Sequence, residues 1–267
     1  MSKVIPPLYL HAVGLAAPGL PDWARGREVL TGAQPWAAQE EAAYAPQLLP
    51  PNERRRAPLG VRQAFRAGED ARANSALDFS TLAAVFASSD SDLTVMDRIN
   101  TALAEPVRAV SPTDFHNSVH NAASGYWSIA TACRQASTAV GGHDGSFAMG
   151  LLEAAALVHG DGIGVLLVAF DVVPPPLLRP VRPIDCAGSI ALVLHAEPGA
   201  DAVARLELSL VDEDETTLED AALEHLRRGN PALRGLAILQ AAARHAAARV
   251  VLPQVAGCNV AVEVDAS

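Results

Sequence analysis

Short apolar runs that alternate with amphipathic helical patterns predict an α/β fold, a sheet covered by helices on both faces. Three observations carry that expectation. Runs such as "STLAAVFASS" (Ser80–Ser89) and "GVLLVAFDV" (Gly164–Val172) are bounded by Ser, Asp or Gly and read as buried strands. Segments such as "AMGLLEAAALVHG" between them have the spacing of helices that pack against a sheet. The chain is 267 residues long, half of it hydrophobic and 19% charged, which is enough apolar side chain for a sizeable core.

The elements follow in order. "LYLHAVGLAAPG" (Leu8–Gly19) alternates loosely and ends at Pro-Gly, as a first strand does. Residues 20–50 are rich in Pro, Ala and Gln and predict an irregular connection. "PNERRRAPLGVRQAFRAGEDARANS" predicts a helix capped by Asn52, with the arginines in its first turns. Ser80–Ser89 is the next strand, and "SDLTVMDRINTALAE" a helix capped by Ser91 or Asp92. In Ser111–Gln135 the second half is helical, while His, Asn and Ser cluster where it begins. The strand "ASTAV", a glycine turn, the helix Phe147–Gly160 and the strand Gly164–Val172 come next. "VPPPLLRPVRP" is an extended connector. "GSIALVLHAEP" and "VARLELSLVDE" predict a pair of strands. "TTLEDAALEHLRRG" and "NPALRGLAILQAAARHAAARV" predict two helices, and "GCNVAVEVD" a last strand. No linker divides the chain, so residues 1–267 are expected to form one domain.

Charge and cysteine content narrow the function. A net charge of −10 and a pI near 5.2 argue against nucleic acid, which needs a basic face. Cys133, Cys186 and Cys258 are far apart and lack Cys-x-x-Cys spacing, so neither a disulfide framework nor a zinc site is indicated. The N-terminal apolar run is broken by Pro6 and Pro7, and no stretch reaches about 18 uncharged apolar residues, so no leader or membrane span is expected. A cytoplasmic protein without a cofactor is the expectation.

The turn "STAVGGHDGSF" (Ser137–Phe147) is the place to look for chemistry. It lacks the Gly-x-Gly-x-x-Gly of a dinucleotide fold, the Gly-Lys-Ser/Thr of a P-loop and the Gly-x-Ser-x-Gly of a hydrolase elbow. Ser146 precedes an apolar helix and suits a capping role, aided by Asp144 at the positive end of the dipole. A nucleophile system of Ser146, His143 and Asp144 is the alternative. His116 and His120 stand four apart and would share a helix face, but Asn117 occupies the place of a metalloprotease glutamate, so a hydrogen-bonded structural role outweighs a metal site.

The stretches "DFHNSVHNAASGYWSIAT", "STAVGGHDGSFAMGLLEAAALV" and "VLLVAFDV" resemble the β-ketoacyl synthase-like N-terminal family. More narrowly they resemble the short chain-length-factor-like subunits of aryl polyene and xanthomonadin pigment pathways. "LPPNERRRAPLGVRQAF", "LAAVFASS" and "RPIDCAGSIALVL" fit the same pattern in the same order, so the resemblance covers nearly the whole chain. It implies a thiolase-like (ketosynthase-like) layered fold, truncated relative to a full condensing enzyme. In full ketosynthases a Cys at the end of the strand matching "STAV" takes the acyl chain, its thiolate favoured by a helix N-terminus. The matching positions here are Val140, Gly141 and Gly142, and none can attack a thioester. No His-Gly-Thr stretch occurs, and Lys3 is the only lysine of the chain, so the decarboxylation machinery is missing too.

The resemblance therefore implies a non-catalytic subunit that pairs with a full-length ketosynthase as a heterodimer and meets an acyl carrier protein, with no nucleic acid and no membrane insertion. It places the "ASTAV" strand, with Ala139, at the dimer interface. His116, Asn117, His120, Asn121, Tyr126 and Trp127 become candidates for interface or tunnel contacts; ordinary core packing is the competing account of Tyr126 and Trp127. The rival function is an acyltransferase or thioesterase acting on carrier-bound chains through Ser146.

Overall fold

The computed structural model describes residues 5–39, 42–199 and 201–266. Lys3, and Glu40 and Glu41 within the predicted connection, lie outside the described residues. All strands among the described residues join one mixed sheet. In chain order they are β1 (Leu8–Ala16), β2 (Ala83–Ala87), β3 (Ser137–Val140), β4 (Val165–Asp171), β5 (Gly188–His195), β6 (Ala204–Val211), β7 (Ala248–Val255) and β8 (Cys258–Asp265). Their order across the sheet is β3-β2-β4-β5-β1-β6-β8-β7. β2 runs parallel to β3 and β4, and every other neighbouring pair is antiparallel.

Side-chain alternation divides the central strands between two cores. Val165, Leu167 and Ala169 of β4 face one core, with Val85 of β2 and Leu192 of β5. That core is closed by α1 (Trp23–Leu30), α7 (Ser146–Gly160), α8 (Ala221–Arg228) and α9 (Leu236–Ala243). Leu166, Val168 and Phe170 face the other core, under α3 (Leu59–Ala73) and α6 (Ala122–Thr131). A strand buried on both faces must be apolar throughout, which is why β4 reads as a continuous run. β6, β8 and β7 contribute to the first core only, and Glu207, Ser209 and Glu263 alternate outward.

Several expectations are corrected by long-range packing. The predicted helix through the arginines is two helices, α2 (Pro51–Arg56) and α3, because Pro58 cannot continue the first. Asn52 is not a cap; its Oδ1 accepts from Arg55. Residues 20–50 contain α1, whose cap is Asp22, accepting from Arg25 N at 2.7 Å. β5 and β6 are not paired with each other, since β1 lies between them. The last predicted helix ends early: a 3₁₀ turn (Pro231–Gly235) leads into α9, and the arginine-containing tail becomes β7. α4 (Leu93–Ala104) is capped by Asp92, which accepts from Thr94 N at 3.0 Å.

Candidate functional site

The turn between β3 and α7 is bound into itself. Gly142 N donates to Ser146 Oγ at 2.9 Å, and Ser146 Oγ donates to the His143 carbonyl at 2.7 Å. Gly145 N returns to the Gly142 carbonyl at 2.9 Å and Ser146 N to that of His143 at 3.2 Å. Ser146 is 1% exposed and stands as the first residue of α7, with Gly145 at the cap and no side-chain capping bond. Its hydroxyl therefore bridges the turn rather than caps the helix. His143 has φ +52°, a left-handed backbone that turns its ring outward to solvent.

Ser146, His143 and Asp144 are not assembled as a nucleophile system, although His143 Nδ1 lies 3.5 Å from Asp144 Oδ1. The Ser146 proton goes to a backbone carbonyl, and the His143 ring meets Arg182 instead: Nε2 lies 3.2 Å from Arg182 Nη1. Arg182 Nη1 also donates to Asp144 Oδ1 at 2.6 Å, and its Nε donates to Asp90. Burial pulls the Arg182 guanidinium down, but the bonds from Asp90 and Asp144 outweigh that and hold it above its ordinary value. Arg182 comes from the Pro-rich connector and is nine-tenths buried. Nothing in its local sequence marks it, because its partners lie 92 and 38 residues away.

A second element closes the turn from above. A Cβ on Gly145 would stand 2.5 Å from the Gln254 carbonyl oxygen and 2.8 Å from its Cα, so the β7–β8 hairpin rests directly on the turn. What remains between them is a cavity of about 340 Å³ lined by Gly142, His143, Asp144, Gly145, Gln254 and Asn259, among others. Val140, Gly141 and Gly142 lie at this turn. Gly141 faces His120, whose Nε2 would sit 3.3 Å from a Cβ there and lies 3.2 Å from the Ser88 carbonyl.

The His-Asn cluster is divided between elements. His116 and Asn117 close α5 (Pro112–Asn117), whereas His120 and Asn121 lie in the turn before α6, so the two histidines share no helix face. Asn117 Nδ2 donates to the Arg56 carbonyl at 3.0 Å and ties α5 to the end of α2. Asn121 accepts on its carbonyl from Gly125 N at 3.0 Å as α6 begins. Tyr126 and Trp127 are each 2% exposed and packed within this chain, which corrects their placement as anchors for a second one. Trp127 stacks edge-on against Phe65 at 5.1 Å and Phe79 at 6.3 Å, in a space that needs Gly68, where a Cβ would come within 2.8 Å of the indole. Ala139 lies on β3, at the outer edge of the sheet, and is half-buried. Among the described residues no group of three His, Cys, Asp or Glu side chains is placed to hold a metal ion, and Cys133, Cys186 and Cys258 form no disulfide. No helix among them is long and apolar enough to cross a membrane.

A feature missed in the sequence is a basic groove on this acidic chain. Arg55, Arg56, Arg62 and Arg98 line a cavity of about 450 Å³ at the start of α3, with Thr113, Asp114 and Asn117. Arg98 is paired with Asp114 at 2.7 Å, and Arg56 has Glu53 at 3.8 Å. Arg55 and Arg62 meet no carboxylate among the described residues; their bonds go to Asn52 and to the Ala57 carbonyl. The Arg-Arg-Arg run was the available signal, but Arg62 and Arg98 reach the groove only through the fold.

The comparisons with known proteins agree with this architecture. The family model described as the N-terminal domain of β-ketoacyl synthase matches residues 28–252. No curated protein matches the sequence. Among solved structures, the chain is similar to one from the ketosynthase ApeO in complex with its chain length factor ApeC from Xenorhabdus doucetiae. The two are 24% identical over 96% of this chain and 98% of that one, with a TM-score of 0.72. It is similar at 13% identity to the ishigamide ketosynthase/chain length factor, over 97% of this chain and 99% of that one, TM-score 0.71. A type II polyketide synthase acyl-carrier protein in complex with its ketosynthase, AntDE:AntF, is similar at 13% identity over 100% of both chains, TM-score 0.73. The fold is thiolase-like, and the chain belongs to the β-ketoacyl synthase N-terminal-domain family.

Proposed function

We propose that this chain is a non-catalytic, chain-length-factor-like subunit that pairs with a full-length ketosynthase during elongation of a carrier-bound chain of the aryl polyene type. The observation that carries the reading is the closed turn before α7. Acyl transfer needs an accessible, activated nucleophile. This turn has no thiol, and its one hydroxyl is 1% exposed and donates its proton to a carbonyl. The rival transferase reading through Ser146, His143 and Asp144 is weaker: His143 Nδ1 lies 3.5 Å from Asp144 Oδ1, but Ser146 Oγ donates to a backbone carbonyl and Arg182 engages both proposed partners of the serine.

A pairing role needs only the scaffold and a surface. β3 ends the sheet order, so one row of its backbone groups is free to pair. Phe115 at 71%, Val119 at 49% and Ile129 at 56% exposure add apolar area on α5, α6 and the turn between them. Two of the similar structures are described as a ketosynthase with its chain length factor, which supports a ketosynthase as the partner. The arginine groove before α3 complements an acidic docking helix, and an acyl carrier protein is the partner we assign to it. The reading treats residues 1–267 as one domain, since all described strands share one sheet.

Co-expression with the partner ketosynthase followed by size exclusion with light scattering tests it. A 1:1 complex is expected, and Ala139→Arg should abolish it. A monomer that ignores the ketosynthase, or a stable acyl adduct on Ser146 in intact mass, would overturn the reading.

A further inference from the structure

Asp171 is a core carboxyl group with no countercharge among the described residues. Asp171 ends β4 and is 1% exposed. Its Oδ1 accepts from Ser88 Oγ at 2.8 Å, from Ser89 N at 2.9 Å and from Ser89 Oγ at 2.7 Å, the last through a single proton for which Asp90 Oδ2, 3.0 Å from that hydroxyl, competes. Its Oδ2 is buried and meets no donor. No cation pairs with either oxygen among the described residues. The charged neighbour is Asp90, of like sign, which is itself held by Arg182. Asn230, the cap of the 3₁₀ turn, donates to the carbonyls of Asp171 at 3.1 Å and Cys186 at 2.8 Å and not to the Asp171 carboxyl, and from the turn before α6 His120 meets the Ser88 carbonyl at 3.2 Å.

An ionised Asp171 would leave a desolvated, undonated charge on Oδ2. A neutral acid carries its proton there and keeps all three bonds to Oδ1. Burial pushes this carboxyl up to about 7, despite the serine bonds that pull it down.

The same serines organise the loops around the turn. Ser88 Oγ also accepts from Ser91 N at 2.8 Å, shaping the loop that carries Asp90. Asp90 then holds Arg182, and Arg182 holds Asp144. One chain of contacts thus joins the loop after β2, the Pro-rich connector and the turn before α7.

We propose that Asp171 is a proton-gated fastener: neutral, it secures Ser88–Ser89 and through them the Asp90–Arg182–Asp144 chain; ionised, it loosens all three loops. The inference stands apart from the ketosynthase-partner reading. The sign follows from linkage. The group ionises near 3.8 when unfolded and near 7 when folded, so the folded chain holds the extra proton between those values. Its stabilisation is complete below about 3.8, declines as pH rises through that interval, and is gone above about 7.

The test compares the wild-type chain with Asp171→Asn, which keeps the carbonyl acceptor and removes the titration. Hydrogen exchange of residues 88–91, 143–146 and 179–183, corrected for intrinsic rates, is read at about pH 6 and pH 8. The wild type should lose protection several-fold in all three segments at the higher pH, and the variant should change little. Equal pH dependence in the two proteins would overturn the proposal. Should the variant not fold, infrared spectra of the wild type labelled at aspartate carboxyls decide the matter. A protonated carboxyl band lost with a midpoint near 7 supports the fastener, and no such band at pH 6 refutes it.

Discussion

Two helices of the same length begin in opposite circumstances. α7 and α3 each run for 15 residues, and neither carries a side-chain cap on its own N-cap residue. At α7 the His143 carbonyl accepts Ser146 N, the Ser146 hydroxyl takes up Gly142 N within the turn, Arg182 binds the side chains beside it and the β7–β8 hairpin covers it. At α3 Asp92 reaches in from the start of α4 to accept Gly60 N at 2.9 Å, and beyond that the surface is open and lined by arginines. A helix N-terminus is always electropositive and short of acceptors. The chemistry it offers depends on what distant segments lay over it. In this chain the start of α7 is covered by the β7–β8 hairpin and by Arg182, and the start of α3 is open.

The sharpest way to break the contrast is Gly145→Val. The added atoms would press on Gln254 backbone, which cannot rotate away, so thermal or denaturant unfolding should show a loss of about 3 kcal/mol. A near-neutral result would mean that the hairpin does not rest on the turn. Next in size is Arg182→Met, which strips the partner from Asp90 and Asp144. Asp144 is half-exposed and can rehydrate, so the expected cost is about 2 kcal/mol, read in the same melts.

Charge reversal at the open end should do the reverse. Arg55→Glu with Arg62→Glu should leave stability within about 0.5 kcal/mol, because neither arginine is ion-paired among the described residues. Calorimetric titration with an acyl carrier protein should nonetheless weaken at least about tenfold, or 1.4 kcal/mol. Unchanged binding would move the carrier elsewhere on the surface. The smallest effect is that of Ser146→Ala, which frees Gly142 N and should cost about 1 kcal/mol with no loss of partner ketosynthase activity. A collapse of that activity with the fold intact would give the serine a chemical role.

Much of the fold was legible because its signals are local. β2 and β4 are fully buried strands, and their unbroken apolar runs announce them without reference to any neighbour. Asp92 as a cap was equally visible. β7 was misread as helix because "ARVV" follows a helix-favouring Ala-rich run, and only pairing with β8 makes it a strand. The pairing of β5 with β6 failed for a related reason: adjacency in sequence suggested a hairpin, but β1 is inserted between them.

The residues of the site divide along the same line. That no thiol stands at Val140–Gly142, and that no second lysine accompanies Lys3, are facts of composition, and no arrangement of the chain can alter them. Residue identity says which side chains are present, but it does not say where a side chain points. Tyr126 and Trp127 looked equally suited to an interface and to a core until Phe65, Phe79 and Gly68 were brought around the indole. Arg182, Asp90, Asp171 and Gln254 carry no motif, and their roles come from contacts spanning many tens of residues. Electrostatics and packing act through distance in space, so the closed turn, the buried acid and the open basic groove came into being only when the sheet brought those loops together.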